Sequence, residues 1–223
     1  MTASTIAIDG PAASGKSALA QRLAAKLGYL FFDTGVMYRA VTLAALRKGM
    51  GLDSEDELGA LAEAVSLDIR PPSVQDGREY DVWLDGEDVT KRIRTVEVDQ
   101  AVSQVSSYGL VRQAMTRRQR EIGLRGQVVM VGRDIGTVVM PEADLKIFLD
   151  ATPEIRAQRR MRQGEGRVTY EETLGAIRRR DLLDSSRALA PLRPAEDSHV
   201  LDTSALSIDD VAEWALRLAQ EAA

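Results

Sequence analysis

The chain contains no cysteine and one histidine, His199, among its 223 residues, so neither a disulfide framework nor a Cys/His zinc cage can be built from it. Thiol nucleophiles are excluded with them. Asparagine is also missing, and with it the Asn-Lys-x-Asp signature by which GTPases read guanine. Aromatic residues make up 4% of the chain, and no apolar run approaches the ~20 residues of a membrane span. The first nine residues carry no charged segment followed by an apolar stretch. The reading is a cytoplasmic protein. A formal net charge of -5 argues against a protein that holds nucleic acid or an anionic membrane by bulk electrostatics.

What is present is 44% hydrophobic and 28% charged, the make-up of a globular domain with a real core. Five of the 29 basic residues are lysine, so the other 24 are arginine, the side chain suited to forked contacts with phosphate and carboxylate. Thr5–Asp9 reads as a short strand ended by Gly10-Pro11, and Leu19, Leu23 and Leu27 recur on one helical face closed by Gly28. Leu30–Asp33 gives a second strand, followed by a helix to Gly49. This alternation predicts an α/β fold with a parallel sheet. Val128–Val131 and, apart from Lys146, Leu145–Leu149 are apolar runs, as expected of strands buried on both faces.

Between these parts the composition shifts. Residues 51–100 hold fourteen acidic and five basic residues, which suggests a separate lobe inserted into the α/β core. Ser54 with Glu57 caps a helix there, Leu67–Arg94 alternates in a β manner with a tight turn at Asp85-Gly86, and helical patterning resumes over 96–122. Residues 154–193 invert the balance, with ten arginines against six acids, and are the segment suited to anions. Thr152-Pro153 and Thr169 with Glu172 start two helices in that segment, joined by a link at 163–167 that is read as mobile.

Gly10-Pro11-Ala12-Ala13-Ser14-Gly15-Lys16-Ser17 fits the phosphate-binding loop: a glycine, four residues, then Gly-Lys-Ser, placed after a strand and opening a helix. The glycines allow backbone N–H groups to wrap a phosphate at the positive end of the helix. Lys16 reaches the β and γ phosphates in such loops, and the Ser17 hydroxyl ligates Mg²⁺. No Gly-x-Ser-x-Gly elbow occurs, and His199 is read as an ordinary strand-edge residue, so a Ser-His-Asp hydrolase has no support. Arg133, in Gly132-Arg133-Asp134, follows a buried strand at its carboxyl end, where open α/β sheets bind ligands. Arg156 and Arg160 share one helical face, and Arg180 and Arg187 share another.

With these motifs in view, the sequence resembles the bacterial cytidylate kinases, a branch of the nucleoside monophosphate kinases. The matching blocks are Ile8–Pro11 with Ser14–Ser17, Asp33-Thr-Gly-Val-Met-Tyr-Arg39, Leu84–Val89, Ile93–Thr95, Val102–Val105, Val131-Gly-Arg-Asp-Ile-Gly-Thr-Val-Val139, Lys146–Asp150 and Arg187–Leu192. The resemblance implies a single P-loop kinase domain over 1–223: a three-layer core with a central parallel five-stranded sheet flanked by helices. It adds an inserted small α/β acceptor-binding lobe at 54–95 and a short Arg-rich lid at 154–170. ATP would lie on Gly10 to Ala18. Cytosine would be read by Ser103, Arg112 and Asp134, the acceptor phosphate met by Arg39, Arg133 and Arg187 with Thr34 and Tyr38 beside them, and the ribose by Arg180 and Asp184. Lys16, Arg133, Arg156, Arg160 and Arg187 are the residues expected to carry catalysis, with Mg²⁺ as cofactor and a monomer as the working form.

The implied reaction moves the γ-phosphoryl group of ATP to CMP or dCMP. A phosphate monoester has a second pKa of ~6, so the attacking oxygen is largely ionised at pH 7 and a general base is unnecessary. The nearest rival is a P-loop kinase for UMP or a non-nucleotide alcohol, though an alcohol would want a carboxylate base. A non-catalytic nucleotide switch is a rival of another class, and it has no use for converging arginines such as Arg39, Arg133 and Arg187.

Overall fold

The computed structural model describes residues 2–163, 169–187 and 189–222. Among the described residues the order is β1 (Thr5–Asp9), α1 (Lys16–Leu27), β2 (Leu30–Asp33), α2 (Gly35–Arg47), α3 (Glu55–Ala64), β3 (Leu67–Arg70), β4 (Asp81–Leu84) and β5 (Glu87–Asp88). There follow α4 (Val96–Val105), α5 (Gly109–Gly123), β6 (Val128–Val131), β7 (Leu145–Asp150), α6 (Pro153–Gln163), α7 (Tyr170–Ser185), β8 (His199–Asp202) and α8 (Ile208–Glu221). A five-stranded sheet runs in the order β2-β6-β1-β7-β8. β1 is parallel to both β6 and β7, and β7 is parallel to β8. The expected α/β architecture with a central parallel sheet is what the chain forms.

Contacts divide the chain into two compact units, residues 1–29 with 126–223 and residues 30–125. In the first, all of β1 and β6 is buried, as continuous apolar strands flanked on both sides must be. α1 turns Leu19, Ala20, Leu23 and Ala24 inward, and each fully buried leucine contributes about 1.5–3 kcal/mol. Pro153 occupies the first position of α6, where its missing N–H costs nothing. α7 opens on a complete capping box between Thr169 and Glu172. His199 begins β8, the edge strand, with its ring edge-on to Trp214 at 6.4 Å. Residues 164–168 of the 154–170 lid, and with them all of the 163–167 link beyond Gln163, lie outside the described residues.

The second unit holds α2–α5 and an antiparallel sheet in the order β3-β4-β5. Asp85 and Gly86, at φ 50° and 82°, form the tight β4–β5 turn, and Val82 and Leu84 share its buried face. Arg78 ties Asp76, Asp81 and Asp88 into one knot beside this hairpin. α3 crosses α5 closely at Gly59, where a Cβ would sit 2.6 Å from Leu110 Cβ. The helical run expected over 96–122 is two helices. Ser106 Oγ and Ser107 Oγ donate to the carbonyls of Ser103 and Gln104, taking acceptors that a continuing helix would need.

Candidate active site

The phosphate loop is set by where β1 ends. Gly10 has φ 144°, and a Cβ there would lie 2.0 Å from the Leu149 carbonyl oxygen of the neighbouring strand, so only glycine fits. Ala13 (φ 61°) and Gly15 (φ 100°) turn the loop back into α1, whose first residue is Lys16. Lys16 is buried and its Nζ donates to the Pro11 carbonyl at 2.5 Å, closing the loop on itself. Gly10→Ala is expected to lower stability by at least about 1–3 kcal/mol through overpacking, read as a drop in Tm. An unchanged Tm would mean that the loop root does not pack against Leu149.

A cavity of about 460 Å³ opens above this loop. Ala13, Ser14, Gly15, Lys16, Ser17 and Ala18 line one wall; Gly10, Pro11 and Ala12 lie beneath, buried. Ser17 is exposed, whereas the buried Ser14 Oγ has no hydrogen-bond partner among the described residues. Leu149, Leu206, Ile208 and Val211 give an apolar flank, and Arg159 and Arg160 a cationic one. The cavity thus pairs charge-binding groups with an apolar surface, the combination that a triphosphate and its base require.

Helical spacing joined Arg156 to Arg160, but the two have different surroundings. Arg156 is buried, held by Asp181 through both terminal nitrogens at 2.9 and 2.6 Å and donating to the Ala12 carbonyl at 3.3 Å. Arg160 is exposed on the cavity wall. Arg159, to which the resemblance gave no role, donates to Thr203 and to the Ser14 carbonyl. Thr203 Oγ1 in turn donates to the Ser14 and Asp150 carbonyls. Both residues buttress the loop from strands and helices more than 130 positions away, so local pattern carries no sign of them.

In the same unit the Asp184 carboxylate, 2% exposed, accepts from Arg133 Nε at 2.9 Å and from Arg187 Nη2 at 2.5 Å. Burial alone would raise the Asp184 carboxyl, and the positive charges of Arg133 and Arg187, with a smaller contribution from Arg180, more than reverse this, leaving it below the ordinary value. Two expected site residues, Arg133 and Arg187, thereby converge on the buried carboxylate of a third, Asp184. Asp134, also buried, precedes a π-helical turn at Ile135–Val139 and holds it with its carbonyl, which accepts from Val138 and Val139 N–H. That turn is held from below by Asp9, whose carboxylate accepts from Ile135 N–H at 2.9 Å and Gly136 N–H at 2.7 Å. Burial pushes the Asp9 carboxyl up to about 6 despite these two amides.

In the second unit the Arg112 guanidinium lies over the Tyr38 ring, 5.6 Å from its centroid, and reaches the Ser106 carbonyl at 3.4 Å. Both residues are buried, and Ser103 stands exposed on α4. Arg39 donates to the Ile93 carbonyl at 3.0 Å and pairs with Asp99. Thr34, buried before α2, offers its carbonyl to Gln119.

The sequence model of the family described as cytidylate kinase matches residues 6–221. The chain is 45% identical to the cytidylate kinase of Bacillus subtilis, over 97% of this chain and 96% of that one. It is 48% identical to the Bacillus pumilus enzyme, over 93% and 92%, and 50% identical to that of Chloroflexus aggregans, over 91% and 88%. In fold it is similar to the crystal structure of a gluconokinase from Sinorhizobium meliloti, with a TM-score of 0.52 at 14% identity over 99% of this chain and 96% of that one. A phosphate loop built onto β1 and a family match spanning nearly every residue lead to one assignment: the chain belongs to the cytidylate kinase family and is an enzyme of phosphoryl transfer.

Proposed function

We propose that this enzyme transfers the γ-phosphoryl group of Mg-ATP to CMP or dCMP, giving the diphosphate and ADP, as a cytoplasmic monomer. The observation that carries the reading is the buried Asp184 carboxylate with Arg133 and Arg187 on its two oxygens, in the unit that also builds the phosphate loop. Arginines fixed in this manner suit a phosphate monoester acceptor, whose oxygen is already ionised at pH 7 and asks only for positioning and charge neutralisation. The ATP phosphates would lie along Ala13–Ala18 with Lys16 on the β and γ groups. Arg160 would close from α6 over the transferring group.

The loop suits Mg²⁺: the exposed Ser17 hydroxyl supplies a hard oxygen on the cavity wall, and magnesium takes most of its remaining ligands from phosphates and water. When bound, Mg²⁺ neutralises charge on the β and γ phosphates. On the acceptor side, Arg39, Arg133 and Arg187 would meet the phosphate, with Thr34 and Tyr38 supporting them. Ser103, Arg112 and Asp134 would read cytosine, and Arg180 with Asp184 would face the sugar. Residues 54–95 would act as the acceptor-binding lobe and 154–170 as the lid.

The experiment is a coupled assay of ADP release from Mg-ATP with CMP, dCMP, UMP, AMP or no acceptor. Turnover confined to the cytidine nucleotides is expected. Turnover with UMP alone would discard the cytosine-reading assignment, and ADP release without acceptor would point to an ATPase or switch. Asp134→Ala is expected to cut the preference for CMP over UMP by about tenfold or more, as loss of one base-edge contact does, while the KM for ATP stays within about twofold. Unchanged discrimination would remove Asp134 from base reading.

A further inference from the structure

Asp9 has no part in the binding roles described above, yet it is a buried carboxylate with both oxygens committed. Its Oδ1 accepts from Ile135 N–H at 2.9 Å and its Oδ2 from Gly136 N–H at 2.7 Å. Gly132 N–H donates to the Ile8 carbonyl at 3.1 Å. Residues 132–136 are therefore fastened at three points to the last two residues of β1, and Arg133 and Asp134 lie between those points. On the other side of Asp9 stands Gly10, packed so closely on β7 that a Cβ there would lie 2.0 Å from the Leu149 carbonyl oxygen. One carboxylate thus joins the root of the phosphate loop to the backbone that carries Arg133 and Asp134.

We infer that Asp9 is a positioning residue for phosphoryl transfer, its carboxylate clamping the Ile135 and Gly136 amides so that Arg133 and Asp134 are held in fixed register with the root of the phosphate loop. The inference rests on the acceptor-side roles proposed for those two residues. Displacing a positioned group by about 1 Å can cost 10²-fold in rate, so a carboxylate remote from the reacting atoms has leverage on turnover. Each oxygen already accepts one backbone amide, and the ionised form is the one that accepts well from two amides at once. A purely structural carboxylate would affect folding and leave the balance between ATP binding and turnover untouched.

The test is Asp9→Asn, which keeps the shape and removes one acceptor. The kcat with CMP is expected to fall about 10- to 100-fold, while the Kd for Mg-ATP measured by titration stays within about twofold. Hydrogen–deuterium exchange of the peptide spanning 132–136 is expected to quicken. In an Arg133→Ala background the same change should cost clearly less than it does in the wild type, because one of the two groups it positions is gone. Losses that multiply in the double variant, an unchanged exchange rate, or a loss confined to ATP binding would each overturn the inference. Should Asp9→Asn fail to fold, Asp9→Glu keeps charge and both acceptors but sets them one methylene outward. A reduced kcat with intact ATP binding supports the inference, and a wild-type kcat overturns it. If the wild-type protein does not phosphorylate CMP, the acceptor reading fails on its own, and the exchange comparison still decides whether Asp9 holds the segment.

Discussion

Lys16→Ala is expected to lower kcat with Mg-ATP and CMP by about 10³-fold or more while the Kd for CMP stays within about threefold. Removing a single neutral donor from a preorganised site costs about 10²–10³ in rate, and here the lost group is a full positive charge at the start of α1. Lys16 is buried, and its Nζ closes the loop onto the Pro11 carbonyl at 2.5 Å. Its loss therefore opens the loop as well as removing charge. The Pro11 carbonyl keeps only the longer bond from Ser14 N–H, at 3.4 Å, and loss of the charge-assisted one costs about 1.5–3 kcal/mol of stability, so Tm must be followed alongside the kinetics. A variant that melts lower, binds CMP and fails to turn over fits the assignment. Retained turnover would mean that the loop is not the phosphoryl donor site, whatever the sequence pattern says.

The loop could be read in advance because its determinants are local. A strand of five apolar-to-acidic residues, two glycines at the right spacing and Leu19, Leu23 and Leu27 on one helical face specify strand, loop and helix within about twenty positions. The parallel sheet was legible on the same ground, since β6 is an unbroken apolar run and β7 is apolar apart from Lys146 and its last residue, Asp150. What escaped depends on partners remote in sequence. Arg156 and Arg160 share a helical face, yet Asp181 draws the first into the interior and leaves the second on the cavity wall. Nothing in the spacing names Asp181. Arg159 and Thr203 meet across 44 positions, and Asp9 meets Ile135 across 126. The π-helical turn at Ile135–Val139 is likewise hidden: it is a short apolar run like a strand, and the buried carboxylate beneath it decides its form. The break at 106–108 was visible only as two serines, residues that helices tolerate until their hydroxyls find a carbonyl.

The buried Asp184 leads to the second large effect. Asp184→Ala is expected to lower kcat/KM for CMP by about 10²–10³-fold, because truncating one partner of a buried charge pair costs about 2–5 kcal/mol or more, and here two arginines lose their anchor at once. Asp184→Asn keeps the shape but offers only one oxygen to two guanidiniums, so its loss should fall between wild type and alanine. The comparison between acceptors then assigns the cause. If Asp184 acts chiefly by holding Arg133 and Arg187, CMP and dCMP lose activity alike, since both present the same phosphate. If it acts chiefly on the sugar 2′-hydroxyl, dCMP, which lacks that group, loses far less. Both carboxylate oxygens are engaged by arginine, which favours equal losses. The pH dependence has a definite sign. With the folded carboxyl held below its ordinary value, the stabilisation is complete above the unfolded pKa of ~3.9 and is lost only as pH falls through the lower folded value. Stability near neutral pH should therefore drop in Asp184→Asn, and the gap between variant and wild type should close in strong acid. A gap that stayed constant from pH 7 into strong acid would show that the carboxylate charge, and hence its grip on the two arginines, contributes nothing.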